Sequence, residues 1–221
     1  MPASFHDPSL VLLSLLAVGA LALLSRRVPA IGRTSPSSRR KALHAAVGAW
    51  TLIVTPLFHH LAWAILPPAL FVVLNSSKSA ALLMPGLANT RAEARGLWTF
   101  PLGIVLVYLL FWQDAGRQAI LAGIVALAFA DPIAATVGAR YGQRRFLGFG
   151  HGRTVEGSAA FFVVAAVGAG IIAAGTDGGS FPWRMGLGCG FVGAAAESLT
   201  PSGWDNVTIP LAVATAYHFL A

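Results

Sequence analysis

The chain is a succession of long apolar runs separated by short polar segments. Eight runs stand out, at roughly 8–25, 42–58, 61–75, 97–113, 118–138, 155–174, 184–199 and 205–220. Runs of about 18 apolar residues read as membrane-spanning helices. The pattern therefore predicts an all-α, polytopic integral membrane protein with about eight transmembrane helices. They form a single domain over residues 1–221. Several runs are short or interrupted, and Pro67 and Pro68 predict a kink or break in the third. No soluble domain, long low-complexity segment or clear internal repeat is visible.

Composition agrees with the pattern. Hydrophobic residues make up 56% of the chain and charged residues only 10%, against roughly 25% charged in a soluble domain. The one cysteine, Cys189, excludes a disulfide framework and a zinc site, and its apolar setting reads as packing. The first run, Leu10 to Leu24, has no Lys or Arg before it and is followed by Arg26 and Arg27. That polarity is opposite to a signal peptide's. It predicts a retained first helix with its N-terminus outside.

Charge then sets the topology. With the N-terminus outside, the inner segments hold Arg26, Arg27, Arg33, Arg39, Arg40, Lys41, Lys78, Arg91, Arg95, Arg140, Arg144, Arg145 and Arg153. These are thirteen of the fifteen basic residues, and only Arg117 and Arg184 fall outside. The positive-inside rule makes that face cytoplasmic and puts the C-terminus outside. A bacterial source would place the protein in the inner membrane. The net charge of +7 is thus a property of one face. It suits anionic headgroups or a nucleotide and does not require nucleic acid.

The acids divide with the same topology. Asp7, Asp114 and Asp177 fall in outer segments, while Glu93, Asp131, Glu156, Glu197 and Asp205 fall at or near the inner face. Asp131 and Glu197 lie within apolar runs, where an ionisable group is costly and marks a candidate functional site. Carboxylates of this kind can share Mg²⁺ with substrate phosphates. Asp131 precedes Pro132, which predicts a local break in the helix. His59 and His60 fall at the opposite face, at the membrane interface.

The loop "GFGHGRT", Gly148 to Thr154, approaches a P-loop but fails it. Only three residues separate Gly148 from Gly152, Arg153 replaces lysine, and no strand precedes. Its physics still suits phosphate. Glycines expose backbone N–H groups, Arg153 offers bidentate bonds, and Thr154 can cap a helix starting at Val155. Arg40 and Lys41 can each share a helical face with His44. Asp205 is also well placed as an N-cap of the last helix.

Taken together, the chain resembles the CTP-dependent lipid kinases: dolichol, polyprenol and phytol kinases and CTP-dependent diacylglycerol kinases. Phosphatidate cytidylyltransferases are more distantly related. The matching elements are "RKALH" (Arg40 to His44), "ADPIAATVGARYG" (Ala130 to Gly142), "RTVEGS" (Arg153 to Ser158), and Glu197 with Asp205, Asn206 and Pro210. Ala130 stands where the family has glycine, and Arg153 where it has lysine. "RAEARGLWTFPLG", Arg91 to Gly103, is similar to a middle segment of phytol kinases. The resemblance spans about residues 38–210.

The resemblance implies CTP as phosphoryl donor, Mg²⁺ as cofactor and a long-chain membrane lipid alcohol as acceptor. It makes Asp131, Glu156, Asp205 and Glu197 the candidate metal ligands. Asp131, Glu156, His44 and Asp205 are the candidate catalytic residues. Arg40, Lys41, Arg140, Gly142, Arg153, Thr154, Gly157, Ser158 and Asn206 are the candidate nucleotide contacts. Two other readings stay open: a CTP:lipid-phosphate cytidylyltransferase, and a small membrane transporter or assembly subunit.

Overall fold

In the computed structural model every apolar run is a helix, because only a helix satisfies its own backbone groups away from water. The structure describes residues 6–27, 36–76, 90–113, 116–145, 152–175 and 182–221. The helices are α1 (Asp7–Arg27), α2 (Pro36–Val54), α3 (Leu61–Ser76), α4 (Arg91–Phe111), α5 (Arg117–Tyr141), α6 (Val155–Ala174), α7 (Trp183–Leu199) and α8 (Asp205–Leu220). No strand occurs among the described residues. Arg33, Lys78, Asp114, Asp177 and the Gly148–His151 part of the basic loop lie outside them.

Length and apolarity qualify four of these helices to cross a membrane: α1, α4, α5 and α6. α3, α7 and α8 have 16, 17 and 16 residues, short of the roughly 20 needed for a 30 Å core. α2 carries Arg39, Arg40 and Lys41 in its first turns. The outward-facing side chains are nonetheless large and apolar, among them Leu12, Leu16, Val73, Leu110, Ile171, Phe191 and Phe219. Such a surface is foreign to water-soluble monomers and natural in lipid. The protein is a membrane protein.

Neither of the two helix breaks expected at proline is present. α3 runs through Pro67 and Pro68 as one helix. The prolines release the carbonyls of Trp63 and Ala64, which membrane helices tolerate. α5 is likewise unbroken at Asp131. A π-helical turn, Ala126–Ala130, precedes it, and Pro132 falls at the start of the α-helical segment that follows. There its ring removes one intrahelical donor, as Pro67 and Pro68 do in α3. The strain expected as a break is thus absorbed as a π turn, a device common at functional sites.

The core is built around α5 and α8. Ile120, Ile124 and Leu127 of α5 meet Ile209, Val213 and Tyr217 of α8, with Phe161 of α6 beside them, all 2% exposed or less. Small residues bring the helices close, as membrane packing favours. A Cβ on Gly157 of α6 would stand 2.9 Å from the Ala134 carbonyl and 3.3 Å from Gly138 Cα. Glycine there lets the start of α6 lie against α5 one to two turns beyond Asp131.

At the opposite end of the bundle, Asp7 fastens α1 to the start of α3. Its carboxylate accepts from the backbone N–H of His59 (2.9 Å) and His60 (3.0 Å), and lies 2.7 Å from His60 Nδ1. Arg117 donates to the Phe58 carbonyl in the same region, at 3.1 Å. Asp7→Ala leaves two backbone donors without their acceptor. The expected destabilisation is about 1–3 kcal/mol, measured by thermal unfolding in detergent micelles.

Candidate functional site

One end of the bundle gathers four helix starts and one helix end. α2 brings Arg40, Lys41 and His44 in its first turns, and α4 brings Glu93. α6 begins after Arg153 and Thr154, α7 ends at Glu197, and α8 begins with Asp205 and Asn206. Asp131 reaches the same place from within α5. These side chains line one cavity of about 400 Å³.

Arg153 organises its floor. One guanidinium nitrogen pairs with Glu197 Oε1, and the other donates to Asp205 Oδ2 at 3.0 Å and to the Thr200 carbonyl at 3.2 Å. All three side chains are mostly buried, with exposures of 12%, 8% and 14%. A buried carboxylate needs such a partner. The second oxygen of Glu197 accepts from Ser158 Oγ at 2.9 Å. Asp205 Oδ1 accepts from the N–H of Gly203 and of Asn206, both at 3.0 Å. Gly203 has φ +90°, a left-handed conformation that costs glycine little. Asp205 is therefore the first residue of α8 rather than its N-cap, and it ties down the turn before the helix.

Two caps fix the surrounding helix starts. Thr154 Oγ1 accepts from Gly157 N–H at 3.1 Å, the N-cap bond anticipated for α6. Thr90 Oγ1 accepts from Glu93 N–H at 3.1 Å. Glu93 pairs with Arg40 at 3.5 Å, holding α4 to α2. Asn206 donates to the Gly96 carbonyl and to Thr99 Oγ1, each at 3.2 Å, so it braces α8 against α4.

The placement of the candidate residues is uneven. Arg40, Lys41, His44, Asp131, Arg153, Thr154, Gly157, Ser158, Glu197, Asp205 and Asn206 all line the cavity. Glu156, Arg140 and Gly142 do not. Glu156 is on the far face of the first turn of α6, where it accepts from Arg144 N–H at 3.5 Å. It pins the segment following α5, which also pairs at Arg145 with Thr154. Helical geometry explains this: with Gly157 and Ser158 facing the cavity, the neighbouring position 156 turns away. Arg140 is exposed and lies over Tyr141.

A four-carboxylate metal cluster does not form. Among the described residues no three His, Cys, Asp or Glu side chains stand together as a metal-binding group. Glu156 is elsewhere, and Glu197 and Asp205 are engaged by Arg153. Asp131 differs. No hydrogen bond or ion pair reaches its carboxylate among the described residues, and Lys41, Arg153, Asp205 and Glu197 are near enough for their charges to act on it. One free carboxylate beside basic groups fits the way Mg²⁺ is held by one or two carboxylates and substrate phosphates.

A second, apolar pocket adjoins the first. It is lined from α1 to α4 by residues such as Val18, Val47, Phe71, Phe100 and Ile104. His44 lines both spaces, its ring stacked on Phe100 at 4.3 Å between centroids. Glu93, with Thr90 ahead of it, carried a legible capping signal, Thr-x-x-Glu. Its pairing with Arg40 carried none.

Removing the Arg153 charge should expose how much the site depends on it. Arg153→Met leaves two buried carboxylates unpaired, and the expected loss is about 3–5 kcal/mol. Adding Glu197→Gln and Asp205→Asn is expected to recover much of that loss in chemical unfolding of the detergent-solubilised protein. No family model, curated protein or solved structure matches this chain.

Proposed function

We propose that the chain is a membrane-embedded kinase. It transfers the γ-phosphoryl group of CTP to the hydroxyl of a membrane lipid alcohol, isoprenoid or related, at the cytoplasmic face. The observation that carries this reading is the junction at His44. A polar cavity lined by three basic residues and four carboxylates, of which Lys41 and Asp131 have no ion pair among the described residues, meets an apolar pocket at one side chain. Phosphoryl transfer to a lipid requires such a meeting of a charged donor and a greasy acceptor. The four sequence elements resembling CTP-dependent lipid kinases support the choice of nucleotide.

In this reading Lys41 supplies countercharge to the triphosphate, with Arg40 and Arg153, paired to Glu93 and to Glu197 and Asp205, at its border; charge neutralisation is chiefly what phosphoryl-transfer catalysis demands of a protein. Mg²⁺ would be held by Asp131 and, when bound, supplies charge neutralisation at the phosphates. The alcohol oxygen forms a bond to the γ-phosphorus while the bond from that phosphorus to the bridging oxygen breaks. CDP carries that oxygen away. His44, at the junction, takes the hydroxyl proton. Thr154 and Ser158 line the start of α6, where the positive end of the helix dipole favours an anion.

The test is purified protein, labelled CTP, Mg²⁺ and a panel of lipid alcohols, with both products identified. The expected products are a lipid monophosphate and CDP. Pyrophosphate in place of CDP would make the protein a cytidylyltransferase, and absence of turnover across the panel would argue against an enzyme of this class. Asp131→Asn is expected to lower the rate by about 10²–10³, as for loss of one transition-state charge contact. Glu156→Gln, outside the cavity, is expected to stay within about twofold.

A further inference from the structure

The apolar pocket holds two polar atoms that its walls do not satisfy. Ser14 of α1 is 3% exposed, and its Oγ has no hydrogen-bond partner. Trp50 of α2 lines the same pocket, and its Nε1 is buried and equally unpartnered. This is unusual in its surroundings. A helical Ser or Thr commonly donates back to the carbonyl one turn earlier. Thr51 and Thr55 do so here, to Val47 at 2.8 Å and to Thr51 at 2.6 Å. Ser14 does not. An unpaired buried polar atom costs about 1–3 kcal/mol, and this pocket contains two.

The two donors lie at similar depth. Asp7 of α1 is bound to the N–H groups that begin at His59, so the two helices share an origin at that end. Ser14 is seven residues from it, about 10 Å along α1. Trp50 is four residues from the end of α2, about 6 Å, before the short turn that leads to His59. Trp50 is also six residues beyond His44, and helical side chains lean toward the N-terminus, which brings the indole back toward His44.

We propose that this pocket binds the chain of a membrane lipid, and that Ser14 Oγ and Trp50 Nε1 form a polar subsite for an ester carbonyl on that chain, a few bonds from the alcohol at His44. The chemistry follows from the donors. Indole N–H can only donate and the serine hydroxyl can donate. A carbonyl oxygen has two lone pairs and can accept from both. Of the other polar side chains in the lining, Thr51 donates to the Val47 carbonyl, Asn75 to the Leu97 carbonyl, and Tyr108 pairs with Thr55, while Val18, Val47, Phe71 and Ile104 offer contact to hydrocarbon. Only as acceptor of phosphate does the lipid rest on the kinase reading; the subsite itself is a binding property. Among the membrane alcohols named above it narrows the choice, selecting one bearing an ester-linked chain over the isoprenoid alcohols, which are hydrocarbon throughout.

Photo-labelling of the full chain in detergent, without nucleotide, separates the two ideas. The probes are a diazirine-tagged diacylglycerol and a diazirine-tagged hydrocarbon alcohol of equal length. The diacylglycerol probe is expected to modify residues of α1–α4. Ser14→Ala, which deletes one atom, and Trp50→Phe, which keeps a ring, are each expected to weaken that probe's half-saturation about tenfold. The hydrocarbon probe should be indifferent to both. Labelling elsewhere, or equal response of both probes to the variants, overturns the subsite and assigns the two donors to water. Labelling as expected without any CTP turnover would instead leave the lipid site standing and remove the kinase reading.

Discussion

The site depends on one guanidinium. Arg153 stands just before α6 and reaches the end of α7 through Glu197 and the start of α8 through Asp205. A lone charge among these helices would be strongly disfavoured, and so would either acid. The three are stable only together. That requirement brings three helix ends to one place and leaves Asp131, on α5, facing the space between them. The neighbouring bonds of Thr154, Ser158, Gly203 and Asn206 fix that arrangement further. The cavity is therefore a by-product of satisfying buried charge, and among the described residues Asp131 and Lys41 stand in it without an ion pair.

The two pockets differ in the chemistry they solvate. One is bordered by charge and helix starts, the other by hydrocarbon with two unpaired donors. His44 borders both. A membrane enzyme working on a lipid has to present a polar reagent to an apolar one without admitting bulk water. Placing the polar pocket at the bundle end and the apolar one between α1 and α4 supplies that division by architecture alone.

Much of this was legible in the chain, though unevenly. The apolar runs predict every helix to within a few residues, except that α4 starts at Arg91 and α2 at Pro36, where polar residues form helix beyond the apolar stretch. Span number was legible only in part, since α1, α4, α5 and α6 are the helices long and apolar enough to cross by length and composition. Asp131, Arg153, Glu197 and Asp205 could be chosen because a charge beside apolar sequence needs a reason. Glu156 satisfied the same argument and faces the other way. Its motif neighbours Gly157 and Ser158 share the sequence but not the helical face. Pro132 signalled a break, and a π turn took up the strain instead. Ser14 and Trp50 gave no sequence signal, because an unmet hydrogen bond exists only once neighbours are known.

The central claim is that the cavity around Asp131 and Arg153 holds a nucleoside triphosphate. Equilibrium binding of labelled CTP to the purified protein in lipid nanodiscs tests it most directly. Saturable binding that requires Mg²⁺ and is lost in Lys41→Ala is the result this account requires. Absence of saturable binding in the folded wild-type protein, with or without Mg²⁺, would contradict it.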